Sequence, residues 1–195
     1  MRNEGNAALW NSFKQGNWDA YTRLYNDYYS LLNNYGYKFT RNSNLIEDAI
    51  HDLFVRLWTT RSNLGNPDSV KNYLYKSLRN TLLRKIKTEE KYAGIGTEEY
   101  PSGFEVSYND KAGLALEEKE FRQKVKAIIN TLPPRQKEII YLRFYEELSY
   151  DEIADIMSIT VSSAYKLLYK ALENLQQTLG SPPLLSVLLC LCSFF

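Results

Sequence analysis

The sequence predicts an all-α protein: two small helical domains joined by a flexible acidic linker. Two observations carry this. In both halves of the 195-residue chain, apolar residues recur at three- and four-residue intervals, the spacing of one helix face. Between the halves the net charge of +1 hides a steep alternation. From Val70 to Lys87 there are six basic residues and no acid. From Thr88 to Glu120 there are nine acids and three lysines, with four of the nine glycines in "TEEKYAGIGTEEYPSGFEVSYNDKAG" and no sustained apolar period. The predicted organisation is a first domain over 1–88, the linker over 89–116, a second domain over 117–180 and an apolar tail over 181–195. As a coil of about 28 residues the linker would span roughly 30 Å, close to one turn of DNA at about 34 Å.

In the first domain, "FKQGNWDAYTRLYNDYYSLLNNYGYKF" places Phe13, Tyr21, Leu24, Tyr25, Tyr28 and Leu32 on one stripe, with Asn17 as the N-cap. "LIEDAIHDLFVRLW" gives a second stripe through Leu45, Ile46, Ala49, Ile50, Leu53, Phe54, Leu57 and Trp58. Its opposite side carries Glu47, Asp48, His51, Asp52 and Arg56, a face suited to a basic protein partner rather than to phosphate. After the breaker-rich "TTRSNLGNPDSV" comes the basic, aromatic helix "VKNYLYKSLRNTLLRKIK". Tyr73, Tyr75, Lys76, Arg79 and Asn80 supply the π faces and cations that unstacked bases and their backbone require, with stacking worth about 1 to 3 kcal/mol per base. A stripe of Tyr73, Leu74, Ser77, Leu78 and Leu82 would instead serve the core.

In the second domain, Thr131, Pro133 and Pro134 precede a helix over "RQKEIIYLRFYEEL". Ser149 and Glu152 form a capping box for "YDEIADIM", and Thr160 caps the last helix after the break "SIT". On that last helix Ala164, Leu167, Leu168, Ala171, Leu172 and Leu175 cluster on one side. Ser162, Lys166, Tyr169 and Lys170 point away, with Ser163 and Tyr165 at the margins. The pattern is a helix-turn-helix. Hydrogen-bonding groups come first on the exposed side and cations later, as a recognition helix needs to meet base edges and then phosphates.

The remaining signals narrow the function. One histidine, no Gly-rich phosphate loop and no G-x-S-x-G argue against an enzyme with a small-molecule substrate. No cofactor is implied; Cys190 and Cys192 lack the further ligands of a zinc site. The N-terminus lacks the apolar core of a secretory signal, and "LLSVLLCLCSFF" at 184–195 is too short to span a bilayer, which takes about 20 residues, so a cytoplasmic protein is expected.

Taken in order, these motifs resemble the extracytoplasmic-function group of the sigma-70 family, across about residues 10–178. "EDAIHDLFVRLW" is similar to the family's region 2.2, which implies docking of Glu47, Asp48 and Asp52 on core RNA polymerase; His51 and Asp52 stand where Gln and Glu are usual. "YLYKSLRN" resembles region 2.3, which implies opening and capture of the −10 element with Tyr73, Arg79 and Asn80 at matching positions, while Arg84 replaces a common Asp. The loop 61–69 corresponds to the segment that reads a flipped base. "LPPRQKEIIYLRFYEELSYDEIADIMSITVSSAYKLLYKALENL" resembles region 4, the −35 reader, with Thr160, Ser162, Ser163, Lys166, Tyr169 and Lys170 on the DNA side. The resemblance also implies control by an anti-sigma factor, often membrane-bound. The apolar tail is expected to help such masking or self-association.

Overall fold

The computed structural model describes residues 2–92 and 127–178. The chain divides into two compact units, Met1–Thr97 and Glu98–Phe195, and the described residues of both are helical, without strands.

The first unit contains α1 (Arg2–Lys14), α2 (Trp18–Gly36), α3 (Ser43–Thr60), a single 3-10 turn (Arg61–Asn63) and α4 (Val70–Tyr92). The predicted cap forms: Asn17 accepts a hydrogen bond from the Ala20 amide at 2.9 Å. Asn42 does the same for α3 through Leu45 N at 3.2 Å. Leu24, Leu32, Ile46, Ile50, Leu53, Leu74, Leu78 and Leu82 are buried between α2, α3 and α4. At the crossing of α2 and α3 a Cβ on Gly36 would stand 2.6 Å from Ile46 Cγ2, so the glycine is what permits that approach.

Two boundaries differ from the sequence reading. Phe13 belongs to a separate helix, α1, because Gly16 takes a left-handed φ of 86° and turns the chain before Asn17. Helix α4 runs to Tyr92, into the predicted linker, since no glycine or proline interrupts it before Gly94. The rest of the linker from 93, the start of the second domain and the tail with Cys190 and Cys192 lie outside the described residues.

The described part of the second unit starts with a helical stretch at 127–131. It continues through α5 (Pro134–Ile140), which runs into a π-helical turn (Tyr141–Tyr145), then α6 (Tyr150–Met157) and α7 (Val161–Thr178). Pro134 occupies the first turn of α5, where its missing N–H costs no helical hydrogen bond. Thr131 ends the preceding stretch, its hydroxyl donating to Ile128 O at 2.7 Å. The helix predicted through Leu148 stops at Tyr145 instead. Glu147 takes φ 56°, and the Leu148 amide donates back to Leu142 O at 3.1 Å, which buries Leu148 and leaves Ser149 extended to cap α6.

That cap is the predicted box: Ser149 Oγ accepts from Glu152 N at 3.3 Å, and Glu152 Oε2 accepts from Ser149 N at 2.8 Å. Ser158, left-handed at φ 54°, makes the tight break between α6 and α7. Thr160 Oγ1 then accepts from Ser163 N at 3.1 Å and caps α7. Ile139, Ile140, Leu142, Ile153, Ile156, Ala164, Leu168, Ala171 and Leu175 fill the core. Asn174 Nδ2 donates to Gln136 Oε1 at 2.8 Å, fixing α7 against α5.

Candidate nucleic-acid interface

Helix α4 separates its predicted site residues into two groups. Asn80 is exposed, while Tyr73 and Lys76 are half-buried on the same stripe. Tyr75 and Arg79 face the other way. Tyr75 is fully buried, its ring stacked on Tyr35 with centroids 4.6 Å apart and planes 7° from parallel, and Arg79 is 4% exposed. This corrects the reading of Tyr75 and Arg79 as surface contacts: a base has no path to a ring whose face is already covered by Tyr35. They shape α4 from inside, and Lys71 stands over the Tyr75 ring at 5.5 Å. The outward stripe continues instead through Arg84 and Lys87, both exposed. These two were legible as the fourth and seventh residues after Asn80.

The loop 61–69 is fastened at several points. Trp10 Nε1 donates to Gly65 O at 3.0 Å, and Lys14 Nζ to Asn66 Oδ1 at 2.9 Å. The Arg61 guanidinium lies 4.3 Å above the Trp58 ring and donates to Trp58 O at 2.6 Å. Trp10 also meets Tyr73 edge-on, 5.5 Å between centroids. Between α1 and the loop lies a cleft of about 260 Å3, lined by Asn6, Trp10, Asn11, Asn66 and Asp68 among others. Sequence patterning missed Trp10 and Lys14, whose partners lie more than 50 residues away.

Glu47, Asp48, His51 and Asp52 are all exposed along α3, and Val55 beside them is 43% exposed. Asp52 has an internal partner: Lys85 Nζ of α4 lies 2.8 Å from its Oδ2. The neighbouring α2 face presents tyrosines. Burial, then the carboxylate of Glu47 and the nearby Tyr25 and Tyr37, push the Tyr29 phenol above its ordinary value.

In the second unit, Thr160, Ser162, Ser163, Lys166, Tyr169 and Lys170 are all exposed, on α7 or at its cap. The Thr160 and Ser163 hydroxyls lie 2.8 Å apart and bond to each other, so these two are partly committed to the cap. Ser162, Lys166, Tyr169 and Lys170 remain as an open polar and basic stripe opposite the buried Ala164, Leu168 and Ala171.

A helix-turn-helix in one unit, and a basic helix beside an acidic one in the other, define a two-module helical DNA-binding protein. Residues 24–92 match the family described as Sigma-70 region 2, and residues 122–175 match Sigma-70, region 4. Together these matches cover more than half of the chain, in the family's order, and the chain belongs to the sigma-70 family, in its extracytoplasmic-function group. It is similar to the RNA polymerase sigma factor YlaC of Bacillus subtilis (strain 168), 22% identical over 161 residues, covering 83% of this chain and 92% of that one. It is also similar to SigV of the same organism, at 26% identity over 75% of this chain and 81% of that one. Among solved structures it is similar to the sigma factor RpoE of Bartonella quintana in complex with the anti-sigma factor NepR: TM-score 0.58, 18% identity, 81% of this chain and 95% of that one. CnrH in complex with the cytosolic domain of CnrY gives TM-score 0.58 and 16% identity, over 89% and 96% of the two chains. At these identities the structural likeness is one of fold.

Proposed function

We propose that this chain binds core RNA polymerase and directs promoter-specific initiation, with its work divided among three faces. The exposed acidic side of α3, with Glu47, Asp48 and Asp52, docks on the polymerase. The outward stripe of α4, Tyr73, Lys76, Asn80, Arg84 and Lys87, meets the −10 element, and the cleft between α1 and the loop 61–69 receives an extruded base. The stripe of α7 reads the −35 element in duplex form. The observation that carries this reading is the succession of the two regions, each presenting an open face of the right chemistry. A first domain reaching Tyr92 at the end of α4, a linker from 93 to 116 and a second domain over 117–180 accommodate it, with the chain acting in the cytoplasm as a non-catalytic factor.

The energetics favour action in complex. Extruding a base costs a few kcal/mol, which α4 and the loop offset only together with contacts supplied by the polymerase. Promoter binding by the holoenzyme is therefore strong and salt-dependent, and binding by the free protein weak. One neighbour of this fold was solved with an anti-sigma factor and another with the cytosolic domain of a partner protein; control by an anti-sigma factor, membrane-bound in some members, is part of the proposal. The test is transcription from fragmented genomic DNA by core polymerase with and without the protein, with 5′ ends sequenced. New start sites sharing two spaced upstream elements are expected; no new starts and no core binding would refute the proposal.

A further inference from the structure

Three side chains on the surface of the second unit form a column that the reading above leaves without a role. Tyr165 of α7 stacks face to face on Tyr150, the first residue of α6, with centroids 3.7 Å apart and planes at 22°. Arg143 of the π-helical turn also lies over the Tyr150 ring, its guanidinium 5.3 Å from the centroid. The same guanidinium donates to Leu148 O at 2.8 Å, which locks the turn leading into α6. The column thus ties together the three segments that frame the helix-turn-helix. Tyr165 nonetheless remains 53% exposed.

We propose that Tyr165 is a specificity residue of the −35 interface, contacting the 5-methyl group of a thymine, and that Tyr150 and Arg143 are positioning residues that hold its ring there. The inference rests on α7 entering the major groove. Tyr165 lies three residues after Ser162, four before Tyr169 and next to Lys166, so its ring borders the open stripe near the N-terminal end of the helix, the end that meets base edges. A tyrosine at this place adds no charge, so it supplies none of the counterion-release attraction to phosphate that a lysine or arginine exerts. It offers an apolar ring edge, and the apolar group displayed in the major groove is the thymine methyl. With one face already held by Tyr150, the ring loses little rotamer freedom on binding, which is the advantage of a preorganised contact.

The test uses holoenzyme assembled from core polymerase and the full chain, on promoter fragments that it selects from a pool randomised over the upstream element. Each thymine of the selected element is then replaced by uracil, which deletes only the methyl. Wild type should weaken by about fourfold at one such thymine, the loss expected for one buried methyl-sized group. Tyr165→Ala should bind more weakly and become indifferent to that replacement, while Tyr165→Phe retains the dependence and Tyr150→Leu reduces it. Lys166→Ala should lower binding yet keep the methyl dependence, which separates this role from phosphate contact. A selected element without thymine, a wild type blind to every replacement, or a Tyr165→Ala variant that keeps the dependence would overturn the proposal. Weakened assembly with core and no methyl effect would assign the column to a protein contact instead, which also overturns it. Failure of the wild-type holoenzyme to select any upstream element would refute the parent reading of α7 itself.

Discussion

The two helices assigned to DNA, α4 and α7, differ in how much of their circumference the fold consumes. Helix α7 buries five of its 18 residues, an arc of about 100° at 100° per residue, against α5 and α6. Helix α4 buries nine of 23, an arc of about 200°, because α1, α2 and α3 all contact it. A helix with one buried stripe leaves its polar residues to solvent whatever their type. A helix wrapped on three sides takes some of its tyrosines and cations into the core, so residue type alone stops indicating which way a side chain faces.

Substitution of α4 residues from its two sides tests this difference most strongly. Tyr75→Ala removes a fully buried ring stacked on Tyr35 and should cost about 3–5 kcal/mol of the first unit's stability. Asn80→Ala should stay within about 0.5 kcal/mol and instead slow open-complex formation. All three tryptophans, Trp10, Trp18 and Trp58, lie in that unit, so tryptophan emission during urea unfolding of the full chain reports it alone. A stable Tyr75→Ala protein that fails only in promoter opening would restore Tyr75 as a base contact and undo the contrast.

The same contrast governs what patterning could reveal. The α7 stripe, the capping box at Ser149 and the caps at Asn17 and Thr160 were legible because each depends on residues within four positions of one another. The inward turn of Tyr75 and Arg79 was not, since it depends on Tyr35 and the packing of α2, elements far away in sequence. Nor was the hold of Trp10 and Lys14 on the loop 61–69, which crosses more than 50 residues. The pairing of Lys85 with Asp52 belongs to the same class: 33 residues separate them in the chain, and only the packing of α3 on α4 joins them.

On α7 the expected effect is smaller and of another kind. Lys166 and Lys170 are exposed cations with no part in the core. Replacing either by Ala should leave folding unchanged, weaken holoenzyme binding about equally across promoter sequences, and reduce the slope of log affinity against log salt by about one. An unchanged slope in the double variant would mean that this stripe does not meet phosphate, and α7 would lose its assignment. A loss that differed between promoters would place the lysines on base edges instead and remove the division between Ser162 and the cations that follow it.

The smallest effect expected is a dependence on pH arising in the tyrosine-rich first unit. Burial, with the Asp27 carboxylate second, holds the Tyr28 phenol above its ordinary value of 10.0. Burial, with Tyr25 second, does the same for Tyr21, and Tyr29 shifts in the same direction. In each case the folded state favours the protonated phenol. The stabilisation is therefore fully present below pH 10 and is lost as pH rises through the folded-state values. Tryptophan-detected urea midpoints should fall progressively above pH 10. Tyr28→Phe should make that fall shallower, because one phenol no longer has to be ionised against its surroundings. An unchanged slope in the variant would show that Tyr28 is solvated well enough to ionise in place, and that the α2 face opens more readily than its packing against α3 and α4 implies.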